Sequence, residues 1–473
     1  MPGVIVVGGG PVGMLLATEL GRHGVPTTVV EKLTATHDEP RAGTLHARTA
    51  QSLLRRGYLP VPPPRDPRAI VETPFHFGGR PVLTLESPAL EGAPMVGQAQ
   101  SDIERFFEAQ ARSLGVTILR GRRVTGVRDD GGQVSVSTDH GELTADYVVG
   151  CDGARSIVRE EAGFTGTTHP ATFAGLLGLA RLGDPARVPG GWTQGPSGWT
   201  LINVNPAGHS RILTHEFTEP LPERGAPAGI EDLQAAASRI LGHDVPMSDA
   251  TFIGRFSDFT RLADSYRRGR LLLAGDAAHV HAPLGGQGLN LGLQDAFNLG
   301  WKLAMVVAGT APDELLDTYH AERHPVAEAV IENTRAQAAL MRPEPEFEPL
   351  RALVADLLST SDGNRMLSDR ISAQGVRYRD GRGIAGEFLP NFPLGERTVA
   401  ELLHPGRPVL LLGPDAAGAE DAAAKWKDGV DVVAHDEDLG EPAILLRPDG
   451  YVAWAGRETE GLAAALVGWF GPR

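Results

Sequence analysis

The sequence predicts an α/β fold with about three domains. An apolar run at Val4–Val7 precedes a helical pattern from Gly13 to His23, and a second run, VPTTVVEK, follows, so that the chain begins with a βαβ unit. Between about Thr167 and Arg261, short alternating runs rich in glycine and tryptophan predict antiparallel strands. From about Leu394, VLLLG, DVVAHD and the Pro-Asp-Gly hairpin of AILLRPDGYVAWAG predict a small α/β domain. With 473 residues, 41% of them hydrophobic, the chain is long enough for a core in each domain.

The composition excludes several classes of partner and chemistry. A net charge of -15 argues against binding to nucleic acid or to an anionic membrane, since both require an excess of Lys and Arg. Cys151 is the only cysteine, so the chain has no CxxC redox pair, and redox chemistry requires a bound cofactor. No apolar run is long enough for a membrane span, and glycines interrupt the N-terminal one. We expect a cytoplasmic protein, monomeric or homodimeric, that acts on a small molecule.

The first glycine motif, GGGPVG, lies between the first predicted strand and helix. Gly8, Gly10 and Gly13 satisfy GxGxxG, in which the glycines allow a tight turn, close approach of a pyrophosphate and close packing of helix against sheet. Glu31 lies at the end of the second strand, where an acid accepts hydrogen bonds from an adenosine ribose. The motif predicts an ADP-containing cofactor and leaves NAD and FAD equally open.

A second unit of strand, glycine loop and helix occurs in LLLAGDAAHVHAPLGGQGLN. Asp276 follows its strand, and a loop from Pro283 to Gly288 leads into an amphipathic helix. The spacing is not GxGxxG, so a second ADP site is not expected. The loop amides suit the electron-rich edge of a flavin ring, with Asp276 directed to ribityl hydroxyls.

Five histidine or tryptophan positions are each open to more than one interpretation. His279 and His281 alternate as metal ligands do, but no third ligand has suitable spacing, so no metal site is predicted. Trp192 and Trp199 either line a substrate pocket or pack a sheet. His46 is either a proton-transfer group beside a cofactor or a hydrogen-bonded structural residue.

Three ordered motifs make the sequence resemble a known family. GGGPVG, GCDGARSIVR at 150–159 and LLLAGDAAHVHAPLGGQGLN are similar to the three FAD fingerprints of the class A FAD-dependent aromatic hydroxylases, which have the para-hydroxybenzoate hydroxylase-like fold. RLADSYRRGRLLLAGDAAH, GGQGLNLGLQDAFNLGWKLA and ILLRPDGYVAWAG resemble its branch of aromatic polyketide hydroxylases and rifampicin monooxygenase. The resemblance covers essentially the whole chain and implies that both glycine loops hold one FAD.

The resemblance also implies a domain organisation. We expect a Rossmann-like FAD-binding domain formed by residues 1–70, 99–166 and 262–380. An inserted β-sheet domain, residues 71–98 and 167–261, is expected to bind substrate. Residues 394–473 are expected to form a thioredoxin-like domain that lacks CxxC, so its expected role is structural support or oligomer contact.

The family further implies which residues face the cofactor. Asp152 of the middle motif is expected near the pyrophosphate and is linked to the use of both FAD and NAD(P)H, while Val124 is expected to touch adenine through its backbone. No catalytic residue is assigned; the flavin-facing candidates are Arg41, His46, Pro283, Gly285 and Gly286. The expected cofactor-binding residues are Gly8, Gly10, Val12, Gly13, Glu31, Lys32, Arg41, Gln100, Val124, Asp152, Asp276, Gly288, Leu289 and Asn290.

The function implied is that of an FAD-dependent monooxygenase. The family uses NADPH or NADH as a transient electron donor and O2 to form a flavin C4a-hydroperoxide, which hydroxylates a phenolic polycycle, here an aromatic polyketide or rifamycin-like compound. Two alternatives remain: Baeyer–Villiger-type oxygen insertion on a polyketide, and a flavin-binding redox sensor without turnover. The sequence does not distinguish a biosynthetic role from antibiotic modification.

Overall fold

The computed structural model describes residues 3–62, 66, 68–218, 220–223, 226–378 and 383–472. The helices are α1 Pro11–Arg22, α2 Ala47–Leu54, α3 Gln100–Ser113, α4 Ile157–Glu161, α5 Ile230–Leu241, α6 Gln287–Val307, α7 Asp317–Leu340, α8 Glu348–Leu358, α9 Ser361–Ser372, α10 Val399–Leu402, α11 Ala419–Ala423 and α12 Thr459–Phe470. The strands are β1 Val4–Val7, β2 Thr27–Glu31, β3 Thr44–His46, β4 Ile70–Phe77, β5 Arg80–Pro88, β6 Met95–Gly97, β7 Thr117–Arg120, β8 Val124–Asp129, β9 Val134–Thr138, β10 Gly141–Ala145, β11 Tyr147–Gly150, β12 Gly166–His169, β13 Ala174–Leu182, β14 Gly191–Gly195, β15 Gly198–Asn203, β16 Ser210–Glu216, β17 Met247–Ser257, β18 Thr260–Ala263, β19 Arg267–Arg268, β20 Leu271–Leu273, β21 His279–Val280, β22 Pro393–Leu394, β23 Arg397–Thr398, β24 Val409–Leu412, β25 Asp431–Ala434, β26 Ala443–Leu446 and β27 Val452–Gly456.

A six-stranded sheet in the order β19-β20-β11-β1-β2-β7 forms the centre of the molecule. Its strands β20, β11, β1, β2 and β7 are parallel, and β19 is antiparallel to β20. The residues of β1 are all buried, as expected for a parallel strand covered on both faces. The loops that follow β1, β2, β11 and β20 therefore meet at one edge of the sheet, which is where ligands bind in open α/β sheets.

A five-stranded sheet in the order β14-β15-β16-β13-β17 contains the antiparallel strands expected in the glycine- and tryptophan-rich region. Helix α5 covers one face, where Leu233 packs with Ile202 and Ile212. Side chains alternate across a strand, so Trp199 and its cross-strand neighbour His215 lie on the opposite face. Trp192 pairs with Leu201 and lies on that same face.

Strands β4 and β5 form a separate hairpin that packs on α8 and α9. Its turn requires glycine at two positions, because Gly78 and Gly79 have φ of 55° and 78°. A Cβ atom at Gly79 would lie 2.7 Å from the Trp199 ring. The hairpin tip therefore lies directly against the five-stranded sheet.

The C-terminal strands form a sheet in the order β25-β24-β26-β27, in which β24 is parallel to β25 and antiparallel to β26. The predicted Pro-Asp-Gly hairpin joins β26 to β27. This sheet and α12 share a core with Trp301 of α6. Arg447 of the hairpin also makes buried ion pairs with Glu322 of α7. The C-terminal unit is thus fixed to the helices that flank the central sheet.

Two expected domain boundaries, near 70 and near 380, adjoin residues 63–65, 67 and 379–382, which lie outside the described residues. None of the described helices is long and apolar enough to cross a membrane.

Candidate functional site

The turn after β1 is tightly packed at Gly8 and Gly13 and faces open space at Gly10. Gly8 has φ of 107°, and a Cβ atom there would lie 2.4 Å from the carbonyl oxygen of Cys151. A Cβ atom at Gly13 would lie 2.0 Å from the carbonyl oxygen of Gly8, so only glycine fits at either position. Gly10, directly before α1, has no atom within 4 Å of such a Cβ. Open space in front of a helix N-terminus suits a pyrophosphate.

Glu31 fixes this turn to the end of β2. Its Oε2 accepts from the amide of Gly9 at 2.6 Å, and its Oε1 accepts from the amide of Leu33 at 2.7 Å. Each carboxylate oxygen retains a further lone pair for a ribose hydroxyl. Lys32, the next residue, is exposed.

The second glycine loop contains three left-handed residues. Gly275, Gly285 and Gly286 have φ of 61°, 73° and 65°, a conformation that glycine adopts without strain. Gly285 is buried, whereas Pro283 and Gly286 are exposed. Helix α6 starts directly after Gly286, so its free amides and positive dipole end lie beside this loop. Its first turn contains Gly288 and Leu289, both half-buried.

Asp276 presents a free carboxylate between the two parts of this loop. Its side chain is solvent-exposed, and no other described residue forms a hydrogen bond to it. An accessible acceptor at this point is what a contact with ribityl hydroxyls would require.

The two glycine loops meet at Val12. A Cβ atom at Gly275 would lie 3.2 Å from Cγ2 of Val12, and one at Gly292 of α6 would lie 2.7 Å from the same atom. The first turn of α1 therefore packs between the Gly275 turn and α6. This contact makes the two loops parts of one cradle.

A buried network supports the Gly275 turn from behind. The Asp295 carboxylate accepts from the Gly275 amide at 3.1 Å, pairs with His279 Nε2 at 2.6 Å and pairs with Arg323 Nε at 2.8 Å. Burial opposes ionisation of Asp295, but His279 and Arg323 keep its pKa below the usual value. Arg323 also donates to the hydroxyl of Tyr378 at 2.9 Å. His279 therefore has a structural partner, and sequence reasoning missed Asp295, whose only signal was that it is the one acidic residue of α6.

His46 and Asn290 hold the loop to β3. His46 Nε2 donates to the carbonyl oxygen of Gly285 at 2.8 Å, and the His46 amide donates to Asn290 Oδ1 at 2.7 Å. Asn290 Nδ2 donates to the carbonyl oxygens of Thr44 and Gly286. Burial lowers the pKa of His46 to about 4, so the ring is neutral at physiological pH. The structure shows the hydrogen-bonded role for His46, with Nδ1 buried and unpartnered among the described residues.

The middle motif lies against the first loop. A Cβ atom at Gly8 would lie 2.8 Å from the Cα atom of Asp152. The Asp152 Oδ2 atom accepts from the amide of Ile157 at 2.7 Å at the start of α4, while Oδ1 is buried without a partner among the described residues. Burial raises the pKa of this carboxyl.

The remaining expected residues lie around this cradle. Arg41 is exposed and pairs with Glu39 at 2.7 Å, and the Gln100 amide donates to the carbonyl oxygen of Ala42 at 3.0 Å, so these two segments are neighbours. Val124 starts β8, two residues after Arg122, whose amide donates to the Glu31 carbonyl oxygen. Within the described part of the chain, no cluster of three or more His, Cys, Asp or Glu side chains suits a metal ion.

The two tryptophans have different environments. Trp199 is 3% exposed, and its Nε1 donates to the carbonyl oxygen of Met341 at 2.7 Å, so it packs the sheet against the end of α7. Trp192 is half-buried, and its Nε1 has no partner among the described residues. Only Trp192 offers a free polar edge.

Comparison with known proteins gives matches along the whole chain. The FAD binding domain family matches residues 2–334, and the aromatic-ring hydroxylase C-terminal family matches residues 382–472. Rifampicin monooxygenase of Streptomyces venezuelae is 40% identical, over 99% of this chain and 98% of that protein. The structure of OxyS anhydrotetracycline hydroxylase from Streptomyces rimosus superimposes with a TM-score of 0.89 at 37% identity, covering 100% of this chain and 99% of that one.

One relative has a different kind of name. Dialkyldecalin synthase of Streptomyces rugosporus is 39% identical, over 99% of this chain and 99% of that protein.

The residues of the cradle fit an FAD, since the two loops meet, leave space in front of Gly10 and expose the carboxylate of Asp276. With the family matches, these observations establish that the chain belongs to the FAD-dependent aromatic-ring hydroxylases, which are flavin-dependent monooxygenases.

Proposed function

We propose that this protein uses NAD(P)H and O2 to hydroxylate a phenolic polycyclic substrate of the aromatic polyketide or rifamycin-like class. The observation that carries the proposal is the contact of Val12 with Gly275 and Gly292, which joins the two glycine loops into one FAD cradle. The names of the relatives support the substrate class, since they act on rifampicin and anhydrotetracycline.

The residues of the cradle divide the cofactor between them. Gly8, Gly10 and Gly13 with the start of α1 would hold the pyrophosphate, and Glu31 the adenosine ribose. Asp276 would hold the ribityl chain, and the Gly285–Gly286 loop with the start of α6 would lie at the ring. Bound FAD supplies transfer of electrons from NAD(P)H and activation of O2.

The protein's own contribution is orientation and exclusion of water. His46 and Asn290 hold the Gly285–Gly286 loop, and the Asp295 network holds the Gly275 turn, so these hydrogen bonds would position a bound flavin ring. The five-stranded sheet and the β4–β5 hairpin would enclose the substrate above the ring. This assigns residues 71–98 and 167–261 to substrate binding and 1–70, 99–166 and 262–380 to FAD binding.

NAD(P)H is expected to bind transiently. Among the described residues, the β1-α1 turn is the one strand-glycine-helix unit with an acid at the end of the next strand. The C-terminal unit, 394–473, contains no cysteine, and we assign it a supporting role through its contact with α6.

The proposal is tested by turnover under labelled oxygen. Purified protein should contain one FAD per chain and consume NAD(P)H when supplied with anhydrotetracycline or rifampicin, and the product should gain one atom of 18O from 18O2. A chain with two nucleotides, or with NAD and no flavin, would contradict the cofactor assignment. Product without added oxygen would contradict the proposed hydroxylation.

Two other outcomes identify the remaining alternatives. Oxygen inserted next to a ketone, giving an ester or lactone, would indicate Baeyer–Villiger-type chemistry. Flavin reduction without substrate turnover for any phenolic polyketide would indicate a redox sensor.

A further inference from the structure

Three rings form a polar wall between the β4–β5 hairpin and the five-stranded sheet. The Trp192 indole of β14 lies between two imidazoles, with its centroid 4.9 Å from that of His76 on β4 and 5.2 Å from that of His215 on β16. The rings of Trp192 and His215 lie on the face of the sheet opposite α5. Trp192 pairs with Leu201 and His215 with Trp199 across the strands, and these residues alternate with Ile202 and Ile212, which face α5.

Each ring of the wall has a polar atom without a protein partner. His76 Nδ1, Trp192 Nε1 and His215 Nδ1 are buried and form no hydrogen bond among the described residues. His215 is 1% exposed, and the neighbouring Trp199 shows the usual outcome, since its Nε1 is satisfied. An unsatisfied buried polar group costs about 1–3 kcal/mol, so three in one contact cluster indicate a hydrogen-bonding partner that the described residues do not supply.

The wall lies close to the Gly285–Gly286 loop. The ring of Phe75 stacks on His76 with centroids 4.5 Å apart and contacts His46, whose Nε2 donates to Gly285. On the other side, Phe173 contacts His215 at 5.5 Å and shares a core with Leu284, the residue before Gly285. A molecule held against the wall would therefore lie next to the Gly285–Gly286 loop.

The chemistry of the wall suits an uncharged ligand. Burial lowers the pKa of His76 to about 4 and that of His215 to about 3, so both imidazoles are neutral. A neutral imidazole offers one acceptor and one donor, and the indole offers one donor. The ring contacts of the three residues are with aromatic side chains, and no described cation is among them. Hydroxyl and carbonyl oxygens on a flat polycycle match this set, whereas a carboxylate lacks a counter-ion.

We propose that His76, Trp192 and His215 are specificity-determining residues that orient the substrate by hydrogen bonds to its hydroxyl and carbonyl oxygens. The proposal rests on the proposed function, because it places the substrate between the hairpin and the sheet. It adds the residues that select oxygenated polycycles and that determine which ring carbon faces the flavin.

The test is equilibrium binding to the FAD-loaded protein without NAD(P)H, followed by the change in flavin absorbance. The probes are 1,8-dihydroxyanthraquinone and unsubstituted anthraquinone, which share one ring system and differ in two hydroxyl groups. The wild-type protein should bind 1,8-dihydroxyanthraquinone at least about tenfold more tightly than anthraquinone, since two hydrogen bonds would contribute about 1 kcal/mol each. Each of His76→Phe, Trp192→Phe and His215→Phe should reduce this preference about three- to tenfold.

The controls are His243→Phe and Trp454→Phe, which change the same residue types outside the wall and should leave the preference unchanged. Because His215 is fully buried, His215→Gln is a second variant that keeps polarity if the phenylalanine does not fold. Equal binding of the two probes by the wild type, no binding of either, or an unchanged preference in all three wall variants would overturn the proposal. Turnover is not measured, so failure here is distinct from failure of 18O incorporation, which concerns the proposed function.

Discussion

The side chain of Val12 lies against Gly275, where an added Cβ atom would be 3.2 Å from its Cγ2. These residues belong to two glycine motifs that are far apart in the sequence. Their contact places the start of α1 and the turn after β20 side by side, where we propose that both hold the FAD. The first two predictions follow from this arrangement.

Replacing Gly292 by alanine should weaken FAD binding by separating the two loops. The new Cβ atom would lie 2.7 Å from Val12 and 3.1 Å from the Gly275 Cα atom, so α6 or α1 must shift. Overpacking of this kind costs about 1–3 kcal/mol, which corresponds to about 5- to 150-fold in affinity if it falls on the bound state. FAD release on dilution, followed by flavin fluorescence, measures the effect. Gly468→Ala on exposed α12, where a Cβ meets nothing within 4 Å, is the matched control and should retain FAD.

Replacing Asp276 by alanine should also lower FAD affinity, but without loss of stability in the FAD-free protein. The Asp276 carboxylate has no partner among the described residues, so its removal leaves no protein group unsatisfied. A charge-assisted hydrogen bond to a ribityl hydroxyl contributes about 1.5–3 kcal/mol, or about 10- to 150-fold in affinity. Titration of FAD into stripped protein gives the dissociation constant, with Asp356→Ala on exposed α8 as control. Unchanged affinity would remove Asp276 from the site.

Local patterns were sufficient to predict β1, α1, β2 and the glycine positions that adjoin them. Gly8, Gly13 and Glu31 act within one βαβ unit, so their spacing alone specifies the turn. The hairpin after β26 was likewise predicted from Pro448, Asp449 and Gly450 alone.

The parts that sequence reasoning missed depend on contacts between distant segments. Asp295 supports the Gly275 turn only because α6 and α7 bring it to His279 and Arg323. The meeting of His76 with Trp192 requires the β4–β5 hairpin to dock on the sheet, which no local periodicity specifies. The role of His46 was left open for the same reason, since its partner Gly285 is remote in sequence.

Replacing Glu322 by glutamine should remove part of the acid sensitivity of folding. Burial alone would raise the pKa of Glu322, but Arg447 and Lys302 lower it to about 2, below the value of 4.5 for a free side chain. The folded protein then binds fewer protons than the unfolded chain between these values. The stabilisation of the folded protein by ionised Glu322 is therefore complete above pH 4.5 and is lost as the pH falls towards 2.

The free energy of unfolding, measured by denaturant between pH 7 and pH 3, checks this sign. Between pH 7 and pH 3, wild type should lose about 2 kcal/mol more than Glu322→Gln, because the folded-state pKa of about 2 lies below the 4.5 of a free side chain. Glu420→Gln, at an exposed position, should follow the wild type. Parallel curves for wild type and Glu322→Gln would contradict the prediction.

Replacing Asn290 by alanine should loosen the Gly285–Gly286 loop. Its side-chain amide bonds to His46, Thr44 and Gly286 would be lost, and the buried His46 amide would be left unpaired at a cost of about 1–3 kcal/mol. We expect a lower melting temperature and broader flavin absorbance bands, with FAD still bound through the first loop. Asn290→Asp keeps the acceptor for the His46 amide and should lower the melting temperature less than Asn290→Ala does.

Substrate should accelerate reduction of the flavin by NAD(P)H, and Gln337 should contribute to this coupling. Because the described chain shows no second nucleotide fold, we expect the nicotinamide to reach a flavin that moves, and the left-handed glycines 285 and 286 would tolerate the backbone change that this needs. Gln337 lies between the β4–β5 hairpin and the Gly285–Gly286 loop. Its Oε1 accepts from the Gly78 amide at 3.4 Å, and its Nε2 is 3.5 Å from where a Gly285 Cβ would be.

In stopped-flow experiments, an accepted substrate should raise the rate of flavin reduction in the wild type by at least about tenfold, equivalent to about 1.4 kcal/mol in the barrier. Gln337→Ala should reduce this ratio while the rate without substrate changes little. Equal rates with and without substrate in the wild type would refute gating, and an undiminished ratio in Gln337→Ala would remove Gln337 from it.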